Sequence, residues 1–173
     1  LAHCLENKDW AAIRRDLTRL PIAEAPADAP EEVILKFLSS QGINKDKEGT
    51  VSLDLWGTGT PLREFLHVED MADACVYVME NIDFDDLKPK NSGEIRNTHI
   101  NIGSGKELTI RQLSEIVQRV TGFKGNIRFD ATKPDGTMRK LLDVSKLEKL
   151  GWKAKIELEE GVNRVFHDFY MKG

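Results

Sequence analysis

A strand, a glycine turn and a helix start lie within residues 55–74, and this stretch constrains the fold more than any other part of the chain. Apolar residues alternate with polar ones over residues 51–55, which is typical of a half-buried β-strand. Gly57 and Gly59 then add backbone freedom, and Pro61 fixes φ. The sequence therefore predicts that the strand ends in a turn at these residues.

The helix after this turn has its own start signal. Asp70 is a favourable N-cap, and it predicts a helix from Met71 to about Ile82, with Asp73 adding negative charge to the first turn. Apolar residues recur at three- and four-residue spacing, so we expect one helix face to be buried. The predicted buried face comprises Ala72, Cys75, Val76, Met79 and Ile82. Cys75 is accordingly interpreted as a small core residue.

A second short strand is predicted at residues 99–102, before Gly103 and Gly105. A strand, a helix and a strand predict a right-handed βαβ unit that joins residues 51–55 to residues 99–102. The NIGSG run lacks the third glycine of a dinucleotide fingerprint and the lysine of a P-loop, so its glycines are interpreted as turn residues. The same interpretation covers Gly57 and Gly59.

The remaining C-terminal half contains further local signals. A strand is predicted at residues 126–130, and residues 131–140 are expected to form an exposed loop. Ser145 and Glu148 match a capping box for a short helix, and Trp152 is expected to pack beneath that helix.

The sequence of residues 9–49 predicts a helical hairpin. Asp9 is a favourable cap for the first helix, and Pro21 ends it. Pro30 suits the first turn of the second helix, and Gly42 ends that helix. We interpret this hairpin as a solvated surface lobe without a functional site.

Arg63 lies among apolar residues beside the glycine turn. A buried and unpaired charge is costly, so the guanidinium needs an anionic partner. The partner is either an internal carboxylate, from Glu64, Glu69 or Asp70, or a phosphate or carboxylate group of a ligand. The residues alone leave both alternatives open.

Composition excludes several classes of partner. The net charge of −4 argues against nucleic-acid binding, which favours a basic surface. No apolar run approaches the ~18 residues that indicate a membrane span. Cys4 and Cys75 fit no metal or redox spacing, so we expect a reducing compartment, the cytoplasm, and no metal site.

Four stretches resemble extended short-chain dehydrogenases that act on nucleotide sugars, and within them the GDP-L-fucose synthases. They are WGTGTPLREFLHVEDMADA, HINIGSGKELTIRQL, FDATKPDGTMRKLLDVSKLEKLGW and IELEEGVNRVFHDFY. Together they cover most of residues 50–170, and the run KPDGTMRKLLDV is the most specific. Met138 stands where the family pattern has proline, so we expect a less rigid loop there. Relative to that pattern, the hairpin at about 9–49 is an insertion.

The resemblance implies an enzyme that epimerises GDP-4-keto-6-deoxymannose at C3 and C5 and then reduces C4 with NADPH. It also implies that Arg63 and Lys140 hold the diphosphate of the GDP-sugar substrate, and that Trp56 packs against the nucleotide or the sugar. The full-length enzyme is expected to be a homodimer.

The reductase residues of this family are not found in the sequence. The family uses a tyrosine with a lysine four residues later, but Tyr77 is followed by Asn81, and Tyr170 lies close to the chain end. No dinucleotide fingerprint of three glycines occurs. We therefore interpret residues 1–173 as the C-terminal nucleotide-sugar-binding domain, a small mixed α/β fold. The Rossmann half, the NADPH site and the catalytic residues are expected upstream of Leu1.

Two other interpretations stay open at this point. The chain could belong to another nucleotide-sugar epimerase or dehydratase, or it could be a non-catalytic module that binds sugar nucleotides.

Overall fold

The computed structural model describes residues 1–19, 26–88 and 95–171, and the chain divides into two compact units. The first unit comprises Leu1–Pro61 and Arg111–Gly136, and the second comprises Leu62–Ile110 and Thr137–Gly173. Each unit contains a small three-stranded sheet together with helices, so the predicted mixed α/β class is confirmed.

The described helices are α1 (Ala2–Glu6), α2 (Trp10–Arg19), α3 (Glu31–Ser40), α4 (Val68–Asn81), α5 (Phe84–Leu87), α6 (Ile110–Thr121), α7 (Ser145–Lys149) and α8 (Leu158–Met171). The described strands are β1 (Ile43–Lys45), β2 (Val51–Trp56), β3 (Leu62–Glu64), β4 (Glu107–Thr109), β5 (Asn126–Asp130) and β6 (Arg139–Lys140).

The sheet of the first unit has the order β1-β2-β5. β2 is antiparallel to β1 and parallel to β5, with Trp56 opposite Asp130. The strands predicted at residues 51–55 and 126–130 are thereby confirmed. The strand predicted at residues 99–102 is wrong, and the parallel partner of β2 is β5 instead.

The segment around residues 99–102 is held by hydrogen bonds and apolar packing rather than by strand pairing. The Nζ atom of Lys146 donates to the carbonyls of Asn97, at 2.6 Å, and His99, at 3.3 Å. Ile100 and Ile102 pack against the core of the second unit. The alternating pattern therefore reflects packing against helices and their connections, which sequence periodicity does not distinguish from strand pairing.

The helical hairpin forms part of the core of the first unit. Asp9 caps α2 as predicted, since its Oδ1 accepts from the Ala12 N–H at 2.9 Å, and Gly42 follows α3 with a φ of +82°. The predicted stop at Pro21 lies outside the described residues. The buried cluster consists of Cys4, Leu5, Ala12, Ile13, Leu17, Ile34, Leu38, Val51 and Phe123.

The interpretation of this hairpin as a solvated lobe was wrong. Ile13 and Leu17 of α2, and Ile34 and Leu38 of α3, are fully or almost fully buried. Burial of such a side chain contributes about 1.5–3 kcal/mol relative to exposure. Both helices are therefore structural members of the first unit.

The sheet of the second unit has the order β4-β3-β6, in which β3 is antiparallel to β4 and parallel to β6. Its buried core comprises Ala74, Leu147 and Trp152. Trp152 is thus buried next to α7, as predicted. The capping box predicted for α7 is wrong, because Asp143 accepts the backbone N–H of Ser145 at 3.0 Å and Ser145 makes no cap bond to the helix.

α4 begins earlier than predicted. Its N-cap is His67, whose Nδ1 accepts from the Glu69 N–H at 3.2 Å. Asp70 lies in the first turn and is only 2% exposed. One of its carboxylate oxygens accepts the N–H groups of Lys155, at 3.1 Å, and Ile156, at 2.9 Å. Asp70 is not the N-cap because its carboxylate binds a distant segment.

The predicted buried face of α4 was also wrong. The helix buries Asp70 and Ala74 and packs Tyr77 against the core, and the Tyr77 hydroxyl donates to the Leu150 carbonyl at 2.8 Å. These polar contacts decide which face is turned inward. Ile82 packs against the core, but the other members of the predicted face, Ala72, Cys75, Val76 and Met79, are exposed, Met79 by 80%. Cys75 is therefore not a core residue.

Replacement of Asp70 should destabilise the second unit. Asp70→Ala leaves two backbone N–H groups without their acceptor, so we expect a loss of about 1.5–3 kcal/mol in the free energy of unfolding. Asp70→Asn keeps an acceptor oxygen and should lose clearly less. Urea unfolding of the two variants measures the difference, and equal stability of Asp70→Ala and the unsubstituted protein would contradict this role.

The stability of the fold should depend on pH through Asp73, and the direction of this dependence follows from the pKa of its carboxyl group. Its pKa is lowered by a hydrogen bond from the Trp152 indole N–H at 2.8 Å and by the Lys155 ammonium at 3.0 Å. A lowered folded-state pKa stabilises the fold above the ordinary value of about 4, and this contribution is lost as pH falls through the folded value. The melting temperature of Asp73→Asn should therefore be lower at pH 6 and approach the unsubstituted value at acidic pH. Glu80→Gln, an exposed change on the same helix, should show no such convergence.

Candidate functional site

The sheet of the second unit places two cations next to each other. Arg63 on β3 is the register partner of Lys140 on the parallel strand β6. Register partners on neighbouring strands project from the same face of a sheet. Lys140 was expected in an exposed loop; it is exposed, but it belongs to a strand, so its backbone is fixed relative to Arg63.

The described residues supply no carboxylate to Arg63. Its side chain is half-buried, and Nη1 donates to the carbonyl of the preceding residue, Leu62, at 2.6 Å. Among residues 1–19, 26–88 and 95–171, no ion pair within 4.0 Å involves Arg63 or Lys140. The two cations thus share a face to which the described part of the chain supplies no carboxylate partner.

The three carboxylates considered as internal partners of Arg63 are engaged elsewhere. Glu64 accepts backbone N–H groups of Gly105 and Leu142. Glu69 pairs with Arg164 at 2.9 Å, and Asp70 binds residues 155–156. The internal alternative therefore has no support in the described structure.

Acidic and basic residues together occupy the other face of this sheet. Arg139, the neighbour of Lys140, projects to that face and forms a two-bond ion pair with Glu107, at 2.9 Å and 2.8 Å. Hydrogen bonding to Glu107 raises the pKa of Arg139. An open groove of about 760 Å³ is lined by Arg139 and by segments 104–106 and 141–145, together with Glu148. None of the predicted site residues lines this groove.

Trp56, the third predicted site residue, lies in the first unit at the end of β2. Its side chain is 74% exposed, so it is not a core tryptophan. The Nζ atom of Lys133 lies 5.7 Å from the ring centroid, within the range of a cation–π contact. The structure therefore groups Arg63 with Lys140 in one unit and assigns Trp56 to the other.

The glycine turn after Trp56 is closed by Asp135. Its carboxylate accepts the backbone N–H of Thr58 at 2.9 Å and the Thr58 hydroxyl at 2.7 Å. Gly57 has a φ of +83°, and a Cβ atom there would lie 2.2 Å from Asp135 Oδ1. The predicted turn is confirmed, and its vacant space is filled by the protein's own side chain. A phosphate cradle would need that space and those N–H groups free.

Sequence reasoning missed two anchoring carboxylates, Asp135 and Glu64. Both accept backbone N–H groups of glycine-containing turns. No signal in the sequence connects these carboxylates to the segments they bind, because spacing alone does not relate segments about 40 and 80 residues apart.

The described residues contain neither a cluster of side chains suited to a metal ion nor a helix suited to crossing a membrane. No group of three or more His, Cys, Asp or Glu side chains there is arranged to hold a metal ion. None of the described helices combines the length and the apolar character needed to cross a bilayer.

Comparison with known sequences identifies a matching family model and a set of similar curated proteins. Residues 18–103 match the model of the NAD dependent epimerase/dehydratase family. GDP-L-fucose synthase 1 of Arabidopsis thaliana is 48% identical over 124 residues, which are 72% of this chain and 34% of that protein. The chain spans about a third of the length of the curated relatives it matches.

Comparison with solved structures extends the match. A GDP-6-OMe-4-keto-L-xylo-heptose reductase from Campylobacter jejuni is 35% identical, with a TM-score of 0.82 over 99% of this chain and 45% of the other. A GDP-mannoheptose C4 reductase from the same organism, with NADP bound, is 35% identical and has a TM-score of 0.70 over 98% of this chain and 43% of the other. A GDP-L-fucose synthetase from Naegleria fowleri, 22% identical, has a TM-score of 0.56 over 70% of this chain and 35% of the other.

The resemblance to GDP-L-fucose synthases inferred from the sequence is confirmed by curated relatives of that name at 44–48% identity. The family model covers the glycine turn, Arg63 and α4. By these matches, residues 18–103 of the chain carry a domain of the NAD dependent epimerase/dehydratase family.

Proposed function

We propose that this chain is the substrate-binding part of an enzyme that epimerises and reduces a GDP-linked 4-keto sugar with NADPH. The first candidate reaction converts GDP-4-keto-6-deoxy-D-mannose to GDP-L-fucose by 3,5-epimerisation and 4-reduction. The observation that carries the proposal is the pair of cations, Arg63 and Lys140, in register on one sheet face without a carboxylate partner among the described residues. As part of this proposal the whole enzyme is a cytoplasmic homodimer.

The pair suits a diphosphate for electrostatic reasons. A sugar nucleotide carries two negative charges that lose water on binding, so the site must present cations that replace this hydration. Arg63 offers a planar fork that can bind two oxygen atoms, and Lys140 offers a compact charge from the neighbouring strand. In the empty site these two like charges repel each other, and a bound dianion would remove that repulsion.

The exposure of the Trp56 side chain supports a role for it in packing against the nucleotide or the sugar of the substrate. An exposed indole at the end of a strand offers a flat apolar surface, and aromatic rings stack well on bases. The turn that follows is held by Asp135, so the position of the ring is set by a closed backbone segment.

The proposal assigns NADPH, the hydride donor of the reduction, to the part of the enzyme outside this chain. The two glycine turns and Tyr77 of this chain do not fit the cofactor. Gly57 and Gly103 are packed against Asp135 and Glu64, so neither turn offers a free phosphate cradle. The Tyr77 hydroxyl is bound to the Leu150 carbonyl, which leaves it unsuited to give a proton to a ketone.

The helical hairpin favours a second candidate substrate, a GDP-linked keto-heptose. α2 and α3 supply core residues of the first unit, and a match over 98–99% of the chain includes them. Two of the structures matched to that extent are GDP-heptose reductases by name, whereas the GDP-L-fucose synthetase matches 70% of the chain. The alternative of a non-catalytic module is favoured by no specific observation.

Substitution of the two cations tests the proposed site. In the intact enzyme, Arg63→Ala should weaken GDP-sugar binding by roughly 2–4 kcal/mol, the range for leaving one partner of a buried charge pair unpaired. Arg63→Lys should restore only part of this, since the planar fork is lost. Lys140→Ala should cost about 1–3 kcal/mol, as a charged hydrogen bond from a more exposed residue. Isothermal titration with GDP measures these values.

The matched control is Arg139→Ala. Arg139 is the neighbour of Lys140 but projects to the other face and pairs with Glu107, so its loss should leave GDP affinity nearly unchanged. Melting temperatures are recorded for the same variants. If Arg63→Ala lowers the melting temperature sharply while the folded protein binds GDP normally, the arginine is structural and the diphosphate site is wrong.

Substrate choice is tested with the intact enzyme and NADPH. We expect NADPH oxidation, followed at 340 nm, with GDP-4-keto-6-deoxymannose and the appearance of GDP-L-fucose. A higher kcat/KM for a GDP-linked 4-keto-heptose would replace the first candidate with the second. Absence of NADPH oxidation with either sugar, in a protein that still binds GDP, would contradict the enzyme and favour a binding module.

A further inference from the structure

Glu64 connects two segments that are distant in sequence. Its Oε1 accepts the Gly105 N–H at 2.6 Å, and its Oε2 accepts the Leu142 N–H at 3.1 Å. The Ser104 hydroxyl lies 3.4 Å from the same Oε1. No ion pair of Glu64 occurs among the residues that the structure describes. Within the described residues, this carboxylate therefore binds two backbone N–H groups and one hydroxyl rather than a cation.

The sequence around Glu64 gives its carboxylate room. Gly103 lacks a side chain where a Cβ atom would lie 2.5 Å from Glu64 Oε1. Gly105 has a φ of +68°, which directs its N–H to the carboxylate at low conformational cost. The two glycines of the NIGSG run thus accommodate an internal carboxylate, which accounts for their spacing without an external ligand.

The bond to Leu142 matters because β6 is short. Only Arg139 and Lys140 form this strand, and a pairing of two residues is weak by itself. The Leu62 N–H donates to the Met138 carbonyl at 2.8 Å on the near side of the strand. Glu64 holds Leu142 on the far side. The backbone of Lys140 is therefore fixed from both directions.

We propose that Glu64 is a positioning residue of the diphosphate site, which holds β6 in the register that places Lys140 beside Arg63. The inference rests on the function proposed for that pair of cations. Glu64 lies next to Arg63 on β3 and so projects to the opposite face. Its negative charge thus orders the strand without standing among the cations that would bind the ligand.

The test is a double-mutant cycle on GDP affinity in the intact enzyme. Glu64→Gln keeps the size of the side chain, but its amide group presents hydrogens to one of the two backbone N–H groups. We expect GDP affinity to fall by about tenfold, which corresponds to one hydrogen bond to a charged group. In the Lys140→Ala background the same change should have little further effect, because the residue being positioned is gone.

Two further variants separate positioning from general stability. Gly103→Ala pushes a Cβ atom against the carboxylate and should reproduce the coupling to Lys140. Glu69→Gln removes an exposed ion pair of the same unit and should leave GDP affinity unchanged. Amide hydrogen exchange at Leu142 and Gly105 should accelerate in Glu64→Gln and not in Glu69→Gln.

The outcomes distinguish this inference from the proposed function. If Lys140→Ala leaves GDP affinity unchanged, the diphosphate site itself is wrong. If Lys140→Ala weakens binding but Glu64→Gln does not, or if the two effects simply add, Glu64 is a structural residue and the inference is overturned. The inference is supported if Glu64→Gln weakens GDP binding but has no further effect in the Lys140→Ala background, while Glu69→Gln leaves GDP affinity unchanged.

Discussion

The candidate site depends on the parallel pairing of β3 with β6. This pairing joins Leu62 to Arg139 and Arg63 to Lys140, and no other residues take part. A shift by one residue would turn Lys140 to the other face and place Arg139 beside Arg63. The register of a two-residue strand therefore decides whether Lys140 lies on the face of Arg63, where the described residues offer no carboxylate partner, or on the face of Glu64 and Glu107.

The two units use one device to hold their irregular segments. A carboxylate accepts the backbone N–H of a glycine-containing turn: Asp135 binds Thr58 in the first unit, and Glu64 binds Gly105 in the second. In each case a glycine of the same turn, Gly57 or Gly103, leaves the space that the carboxylate occupies. Charge-assisted bonds of this kind are stronger than neutral ones, so a loop can be fixed where a sheet is too short to fix it.

Local signals in the sequence were sufficient where the deciding contact is local. The alternation of residues 51–55, the cap at Asp9 and the turn at Gly57 were all predicted, because each depends on neighbours within a few residues. The inward face of α4 was not predicted, since it is set by bonds from Asp70 to residues 155–156. Hydrophobic periodicity marks an apolar stripe but not which surface covers it.

The two neighbouring cations, Arg63 and Lys140, have a consequence for the amount of folded protein in a cell. A ligand that binds only the native state stabilises it by RT ln(1 + [L]/Kd), about 2.7 kcal/mol at a hundredfold excess over Kd. If Arg63 and Lys140 bind a diphosphate as proposed, the empty protein retains their repulsion and the occupied protein does not. Degradation of the unfolded form would then fall as sugar nucleotides accumulate, so the supply of substrate would set the abundance of the enzyme that uses it.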